Sequence, residues 1–200
     1  MSILADSPKV EPASREAWRA WLEAHHGTAS GVWLVSRRST AGGSTVTYEE
    51  AVEEALCVGW VDGQAGKVDQ ERTKLYFSPR RPRSGWAGTN KARVERLLAA
   101  GQMRTAGIAA VERAKADGSW SILDGAERAE VPDDLAMALA ARPPARERWD
   151  AFPPSVRRGV LAWKAVARRP ETRAKRIEET AVRAEHNERP SQWQRPARDG

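Results

Sequence analysis

Cysteine and histidine are scarce in the sequence, which limits the chemistry it can carry. The chain has one cysteine, Cys57, and the apolar helical pattern around it is typical of a structural thiol in a reducing compartment. Its three histidines, His25, His26 and His186, lack the spacing of metal ligands. Glutamates crowd residues 49–54, yet no histidine accompanies them at ligand spacing. The sequence therefore predicts no metal site and no cofactor.

Long apolar runs are also missing. No stretch approaches the ~20 apolar residues that a membrane-spanning helix needs, so no membrane span is predicted. Residues 1–10 lack a basic region followed by an apolar stretch and do not read as a secretory signal. With 40% hydrophobic and 30% charged residues, the 200-residue chain has the composition of a soluble globular protein. A cytoplasmic protein is expected.

Motifs of the common enzyme classes are absent as well. Residues 39–44 are rich in Gly, Ser and Thr, but they lack the Gly-Lys-Ser/Thr ending of a phosphate-binding P-loop, so an ordinary loop is favoured. The sequence contains no nucleophile elbow, catalytic-triad order or dinucleotide fingerprint. Catalysis is therefore not the favoured function, although an unrecognised reaction stays open.

Positive charge is in excess and unevenly distributed. The net charge of +6 combines about −4 for residues 1–70 with +8 for 71–115, then −4 for 116–150 and +6 for 151–200. Acidic segments can therefore screen basic ones in the fold. A pI near 9.9 still leaves nucleic acid or another polyanion as an alternative partner, through the basic segment 71–115.

Three short segments have strand character. Residues 32–37 are β-branched and aromatic, 60–65 follow a helix-ending Gly59, and 73–78 alternate polar and apolar side chains. The second and third are close enough in sequence to pair antiparallel. The predicted fold class is α+β: a small antiparallel sheet of about three strands with flanking helices, followed by a helical C-terminal half.

Helix signals in the first half are local and specific. Ser14 predicts the N-cap of an amphipathic helix that ends near Gly27. Thr47 and Glu50 form a capping box, and the helix after them is expected to place its glutamates, Glu54 included, on a solvated face.

Helix signals in the second half rest mainly on proline. Thr105 is predicted to cap one helix and Ser155 another, while Pro132 is expected at the first helical position and Pro170 at the start of the last helix. The predicted organisation is an α+β domain over 14–125 and a helical region over 131–184. Flexible tails are expected over 1–13 and 187–200.

The run from Trp60 to Asn90 is the strongest candidate for a site. Two prolines, Pro79 and Pro82, stiffen the chain between 78 and 85, so the arginines there project from a fixed loop. Arginine side chains bind carboxylate or phosphate through two parallel hydrogen bonds. The predicted ligand-binding residues are Trp60, Asp62, Arg80, Arg81, Arg83, Ser84, Trp86 and Asn90.

Each of these residues also has a structural interpretation. The arginines can form a solvated basic turn, or pair with Asp62 in a network that fixes the loop to the sheet, and both tryptophans can serve packing. In the ligand interpretation Arg80 and Arg83 hold an anionic group and Trp86 offers a stacking wall. Asp62 then orients an arginine or accepts from the ligand.

Several of these motifs resemble the YdeI/OmpD-associated (bacteriocin-protection) family of bacterial proteins. The resemblance rests on Tyr-Glu-Glu-Ala-Val-Glu-Glu-Ala-Leu-Cys at 48–57, Gly-Trp-Val-Asp-Gly at 59–63, Phe-Ser-Pro-Arg-Arg-Pro-Arg-Ser-Gly-Trp at 77–86 with Asn90, Gly-Gln-Met at 101–103, Val-Pro-Asp-Asp-Leu at 131–135, and Arg-Pro-Glu-Thr-Arg at 169–173 with Arg176 and Ile177. It covers roughly residues 14–184.

The resemblance implies a role in resistance to cationic antimicrobial peptides, an association with an outer-membrane porin and a periplasmic location. It implies no catalytic residues. The sequence departs from the family pattern at Val58, where Phe is common, at Ala87, where Ser is usual, and at Lys164, where an apolar residue is usual. The missing signal peptide speaks against the periplasm for this chain.

The leading hypothesis is a non-enzymatic binding protein in a stress or antimicrobial-resistance response, with an anionic small molecule or an acidic protein surface as its partner. The alternatives are an enzyme that uses Asp62 as a base beside an arginine clamp, and a nucleic-acid-binding protein that uses 71–115. The sequence does not predict the oligomeric state.

Overall fold

A mixed β-sheet organises the first part of the chain. In the computed structural model, which describes residues 7–38 and 45–190, this sheet has four strands in the order β1-β2-β4-β3. They are β1 (Lys9–Val10), β2 (Val32–Arg37), β3 (Trp60–Lys67) and β4 (Arg72–Pro79). The α+β class is confirmed, and β2, β3 and β4 are the three predicted strands.

The observed sheet differs in one respect from the predicted sheet of about three antiparallel strands. Strand β1 adds a fourth member, and it pairs parallel to β2. The backbone N–H of Trp33 donates to the carbonyl of Pro8 at 2.9 Å, which holds this short strand at the edge. Two residues are too few to show the alternation of polar and apolar side chains that identifies a strand from sequence.

The described chain forms two compact units. The first combines residues up to Ser84 with Thr89–Gly118, and the second combines Gly85–Gly88 with the residues from Ser119 onward. The helices α1 (Arg15–His25), α2 (Tyr48–Cys57), α3 (Gly88–Ala99) and α4 (Thr105–Ala116) accompany the sheet. The predicted loop at 39–44 and the end of the predicted tail, beyond 190, lie outside the described residues.

Capping explains where the early helices begin. The Oγ of Ser14 accepts a hydrogen bond from the backbone N–H of Ala17, and Thr47 with Glu50 forms the complete capping box. Both predictions are confirmed. The prediction for Thr105 is wrong, because the cap position of α4 is Arg104, whose side chain makes no capping bond.

The core of the first unit packs α1 and α2 on one face of the sheet. Trp18 is fully buried, its ring lies 5.3 Å from that of Phe77, and its indole N–H donates to the carbonyl of Ala51 at 3.1 Å. The last turn of α2 touches α4 closely. A Cβ on Gly107 would lie 2.2 Å from the carbonyl oxygen of Cys57, so only glycine fits there.

Glu54 corrects the prediction that the α2 glutamates are solvated. Its side chain is 3% exposed, and its carboxylate accepts hydrogen bonds from Arg15 at 2.5 Å and from Arg19 at 2.7 Å. Burial alone would raise the pKa of Glu54, but the hydrogen bonds from Arg19 and Arg15 outweigh burial and hold the pKa below its usual value. Glu54 therefore ties α1 to α2 through two ion pairs in which the carboxylate is buried and the arginines are partly exposed.

The second unit is a helical bundle. Its helices are α5 (Asp124–Glu127), α6 (Asp133–Ala140), α7 (Ala145–Ala151), α8 (Pro154–Ala165) and α9 (Pro170–Glu185). Trp149, Leu135 and Leu139 are among the fully buried side chains of its core. The predicted helix start at Pro170 is confirmed.

Two other predicted helix starts are wrong. Pro132 occupies the N-cap position rather than the first helical position, and Ser155 lies inside α8, whose cap is Pro153. Among the helices of the described residues, no helix combines the length and apolar character needed to cross a membrane.

Candidate anion-binding site

The predicted arginine loop follows directly after β4. Residues 80–87 are neither helix nor strand, as was predicted from Pro79 and Pro82. Arg81 and Arg83 are exposed, and within the described residues neither side chain has a hydrogen bond or ion pair. Ser84 closes the turn, because its backbone N–H and its Oγ both donate to the carbonyl of Arg81, the Oγ at 2.7 Å. Arg83 adopts the left-handed conformation, with φ of 59°.

Arg80 behaves differently from its two neighbours. Its backbone N–H donates to the carbonyl of Gly59 at 3.0 Å, which continues the pairing at the end of the sheet. Burial lowers the pKa of Arg80 to about 10, and the negative charge of Asp62 partly opposes that shift. The structure thus brings Arg80 into electrostatic range of Asp62, as the internal-network interpretation expected.

The two predicted tryptophans are buried and belong to different units. Trp60 is 1% exposed and donates its indole N–H to the carbonyl of His26 at 3.2 Å. Trp86 is also 1% exposed and packs in the second unit on Trp120, with ring centroids 5.0 Å apart. Both rings pack against protein, and their part in a ligand site stays a prediction.

Asn90 lies in the first turn of α3. Its Oδ1 accepts a hydrogen bond from Arg93 at 2.8 Å, and Arg93 also donates to Glu49 at 2.6 Å. The amide of Asn90 therefore orients an arginine that is already paired with an acid.

Asp62 connects the predicted site with a second feature that sequence reasoning missed. Its Oδ2 accepts a hydrogen bond of 3.0 Å from the hydroxyl of Tyr48, the first residue of α2. Burial, followed by the charge of Asp62 and this hydrogen bond, raises the pKa of Tyr48. Tyr48 also lines a large cleft.

This cleft lies wholly in the first unit and has a volume of about 870 Å³, within the size range of small-molecule sites. One wall comes from the sheet, at the end of β2, the end of β3 and the beginning of β4. The other wall comes from the residues that begin α2. The residues on the sheet side are Leu34, Ser36, Arg37, Ala65, Gly66, Lys67, Thr73, Lys74 and Leu75, together with Arg38 just after β2, and the helix-side residues are Val46, Thr47, Tyr48 and Ala51.

Strand register orders the sheet wall into two rows. Leu34 faces Leu75 and Leu75 faces Ala65, which makes one apolar row across three strands. The next row in the same face consists of Ser36, Thr73 and Lys67. The cleft therefore passes from an apolar floor to a polar, cationic edge.

Positive charge dominates the cleft. No carboxylate is found among the described lining residues, whereas Arg37, Arg38, Lys67 and Lys74 are all present. Lys67 belongs to the polar row with Ser36 and Thr73, and Arg38 follows the end of β2. The ammonium of Lys74 lies 4.3 Å from the ring centroid of Trp33, on the opposite face of the sheet, so it contributes to the field more than to direct contact.

Sequence reasoning missed this cleft because its cations are far apart in the chain. Lys67 and Arg38 become neighbours of one cavity only through the pairing of both β2 and β3 with β4. One signal was available: each predicted strand has a cation in it or within two residues of its end, namely Arg37, Lys67 and Lys74.

Much of the basic segment 71–115 is neutralised by nearby acids. Arg93 and Arg96 both donate to Glu49, and Arg104 pairs with Glu23 at 2.7 Å. Acidic residues of the first 70 positions thus screen these cations, as the charge blocks predicted. The fields of Arg93, Arg96 and Arg104 are consequently weaker at the surface than the sequence count suggests.

Two protein families match the chain, and the boundary between the two matched segments lies close to the boundary between the two units. Residues 10–110, just over half of the chain, match the family described as a domain of unknown function (DUF8412), and the chain belongs to this family. The cleft and the arginine loop both lie within the matched residues.

The second match identifies the C-terminal part. Residues 128–187 match the family described as Bacteriocin-protection, YdeI or OmpD-Associated, so the recognised resemblance is confirmed for that segment. No curated protein matches the chain. No solved structure matches it either.

Proposed function

We propose that the chain is a non-enzymatic binding protein whose first unit recognises an amphipathic anion in the cleft beside Tyr48. One observation carries the proposal: an apolar row of side chains lies next to a cationic row on the same face of the sheet. An apolar surface favours the body of such a ligand, and a cation favours its charged end.

Lys67 and Arg38 are the residues proposed to hold the charged end. Within the described residues neither side chain has an acidic partner, so neither cation has to leave an existing ion pair when an anion arrives. Leu34 and Leu75 form the floor against which the apolar body packs. Tyr48, kept in place by Asp62, limits the cleft on the helix side.

A fluorescent aromatic sulfonate, 1-anilinonaphthalene-8-sulfonate, matches this pattern of one negative charge on an apolar body. Its neutral analogue N-phenyl-1-naphthylamine has nearly the same rings without the sulfonate. The folded protein is expected to bind the sulfonate saturably and the amine much more weakly, by about tenfold or more, since a charge-assisted hydrogen bond is worth about 1.5–3 kcal/mol.

Variants locate the site. The double variant Arg38→Gln, Lys67→Gln should lose the preference for the sulfonate, whereas Lys115→Gln should keep it because Lys115 lies on α4, outside the cleft lining. If the double variant and the wild-type protein bind the sulfonate with equal affinity, the cleft is not the anion-binding site.

The arginine loop supports a second candidate site for the anion. Arg81 and Arg83 are exposed and lack acidic partners within the described residues. The variant Arg83→Ala should leave the melting temperature almost unchanged, because the side chain is exposed and has no hydrogen bond or ion pair within the described residues. If Arg83→Ala abolishes sulfonate binding and the cleft variant does not, the loop rather than the cleft is the site.

We propose further that binding serves protection against antimicrobial peptides. The bacteriocin-protection description of the family matched by residues 128–187 supports this role. Deletion of the gene should sensitise its host to a cationic peptide, and a copy that encodes the Arg38, Lys67 variant should fail to restore resistance. If that variant restores full resistance, the cleft is not needed for protection.

The alternatives make different predictions in the same assays. A nucleic-acid-binding protein would show an affinity for single-stranded DNA that falls steeply with salt. The internal pairing of Arg93, Arg96 and Arg104 disfavours this alternative. An enzyme based on Asp62 would need a substrate within reach of a carboxylate that already accepts from Tyr48.

A further inference from the structure

Lys164 occupies an unusual position in the second unit. It lies on the buried face of α8, four residues after Val160 and three after Leu161, and it is 2% exposed. A lysine rarely lies fully buried unless its charge is paired. Within the described residues, the only hydrogen-bond partner of its ammonium group is Asp134, at 3.3 Å.

Asp134 does not balance the local charge by itself. The same carboxylate accepts a 2.7 Å hydrogen bond from Arg173, so two cations share one anion. Burial lowers the pKa of Lys164, and the charge of Arg173 lowers it further. The group of Lys164, Arg173 and Asp134 therefore carries one excess positive charge.

The ammonium of Lys164 also has unused hydrogen-bonding capacity. An ammonium group has three N–H donors, and the described residues supply one acceptor. Buried donors are nearly always satisfied in folded proteins. An anionic ligand with oxygen acceptors would accept hydrogen bonds from the remaining N–H groups of Lys164 and would also neutralise the excess positive charge.

A cavity adjoins the same group. It has a volume of about 320 Å³, lies within the second unit, and includes Lys164 and Arg173 in its lining. Its apolar lining includes Val131, Pro132 and Leu161. Glu130 is also in the lining, but its carboxylate is exposed and is held by Arg128 at 2.5 Å.

We propose that this cavity binds a small aliphatic carboxylate. Its oxygens accept hydrogen bonds from Lys164 and Arg173, and its short carbon chain packs against Val131 and Leu161. This site is separate from the cleft of the first unit, and it takes a smaller ligand. The proposal does not depend on the proposed function of the first unit.

Valerate and its neutral amide, valeramide, are the probes for this site. Titration of the full chain, followed by NMR chemical shifts, should show saturable binding of valerate. Valeramide should bind at least about tenfold more weakly, because it cannot neutralise the excess charge. The variant Lys164→Met should lose the same factor, whereas Lys175→Met, an exposed lysine on α9, should bind valerate like the wild-type protein.

A structural role of Lys164 would give another result. It would change the melting temperature of Lys164→Met and leave the ratio of valerate to valeramide affinity near one in the wild-type protein. If Lys164→Met fails to fold, Arg173→Gln replaces it, since this variant retains the pair of Lys164 and Asp134. Equal binding of both probes, binding of neither probe, or an unchanged preference in Arg173→Gln overturns the proposal.

Discussion

The hydroxyl of Tyr48 donates a 3.0 Å hydrogen bond to Asp62, and this contact joins the first residue of α2 to the bulged part of β3. Asp62 was predicted from sequence as a site residue, and Tyr48 lines the cleft that the sequence did not reveal. The bond therefore connects the predicted site to the observed cavity.

The energy of this bond can be measured with a double-mutant cycle of Tyr48→Phe and Asp62→Asn. Tyr48→Phe should lower the free energy of unfolding by no more than about 1 kcal/mol, since the bond is exposed. Asp62→Asn should lower it further, because it also removes the negative charge that acts on the buried Arg80. The coupling energy between them should be about 0.5 kcal/mol, measured by urea unfolding. Strictly additive effects would mean that the bond does not form in solution.

Glu54 is expected to contribute most to stability among the ion pairs of the first unit. The variant Glu54→Gln removes the charge-assisted hydrogen bonds of Arg15 and Arg19 to their shared carboxylate, so the free energy of unfolding should fall by about 1.5–3 kcal/mol. The control Glu95→Gln, an exposed position on α3, should stay within about 0.5 kcal/mol of the wild-type protein.

The contribution of Glu54 should also depend on pH. Its pKa is lower in the folded protein than in the unfolded chain, so the folded state binds the proton more weakly. The stabilisation is therefore complete above the unfolded pKa of about 4.3 and is lost as the pH falls through the folded value. The stability difference between wild type and Glu54→Gln should shrink in acid, and a constant difference would contradict the assignment.

Cys57 should be unreactive in the native protein. Burial raises the pKa of its thiol to about 11, so little thiolate is present near neutral pH. Labelling with iodoacetamide at pH 8 should be slow in buffer and fast in denaturant. Because Cys57 is the chain's one cysteine, Cys57→Ser gives the background directly. Rapid labelling in buffer would show an accessible thiol.

The substitution Gly107→Ala tests the close contact between α2 and α4. Alanine there would place its Cβ 2.2 Å from the carbonyl oxygen of Cys57, so the helices must move apart, at a cost of about 1–3 kcal/mol. Gly27→Ala is the matched control, because a Cβ at Gly27 meets no atom within 4 Å. Thermal unfolding should separate the two variants clearly, and similar melting temperatures would contradict the observed contact.

Local signals account for the part of the fold that sequence predicted well. The cap at Ser14, the capping box at Thr47 and the helix start at Pro170 each depend on a few adjacent residues, and the structure contains all three. The burial of Glu54 could not be predicted in the same way, because its two arginines come from another helix.

The cleft shows a second limit of sequence reasoning. Its two rows exist only because β2 and β3 both pair with β4 in one register, and a shift of one residue would turn Lys67 and Leu75 to the other face. The stiffness of the arginine loop was predicted from two prolines. The burial of Trp60 and Trp86 depends on packing partners that local sequence does not identify.

The most direct measurement is an NMR titration of the ¹⁵N-labelled chain with 1-anilinonaphthalene-8-sulfonate. The proposed cleft predicts saturable shifts of the backbone amides of Leu34, Lys67 and Leu75, with those of residues 81–84 unchanged. Shifts confined to residues 81–84, or saturable binding that leaves the cleft amides unmoved, would contradict the cleft as the anion site.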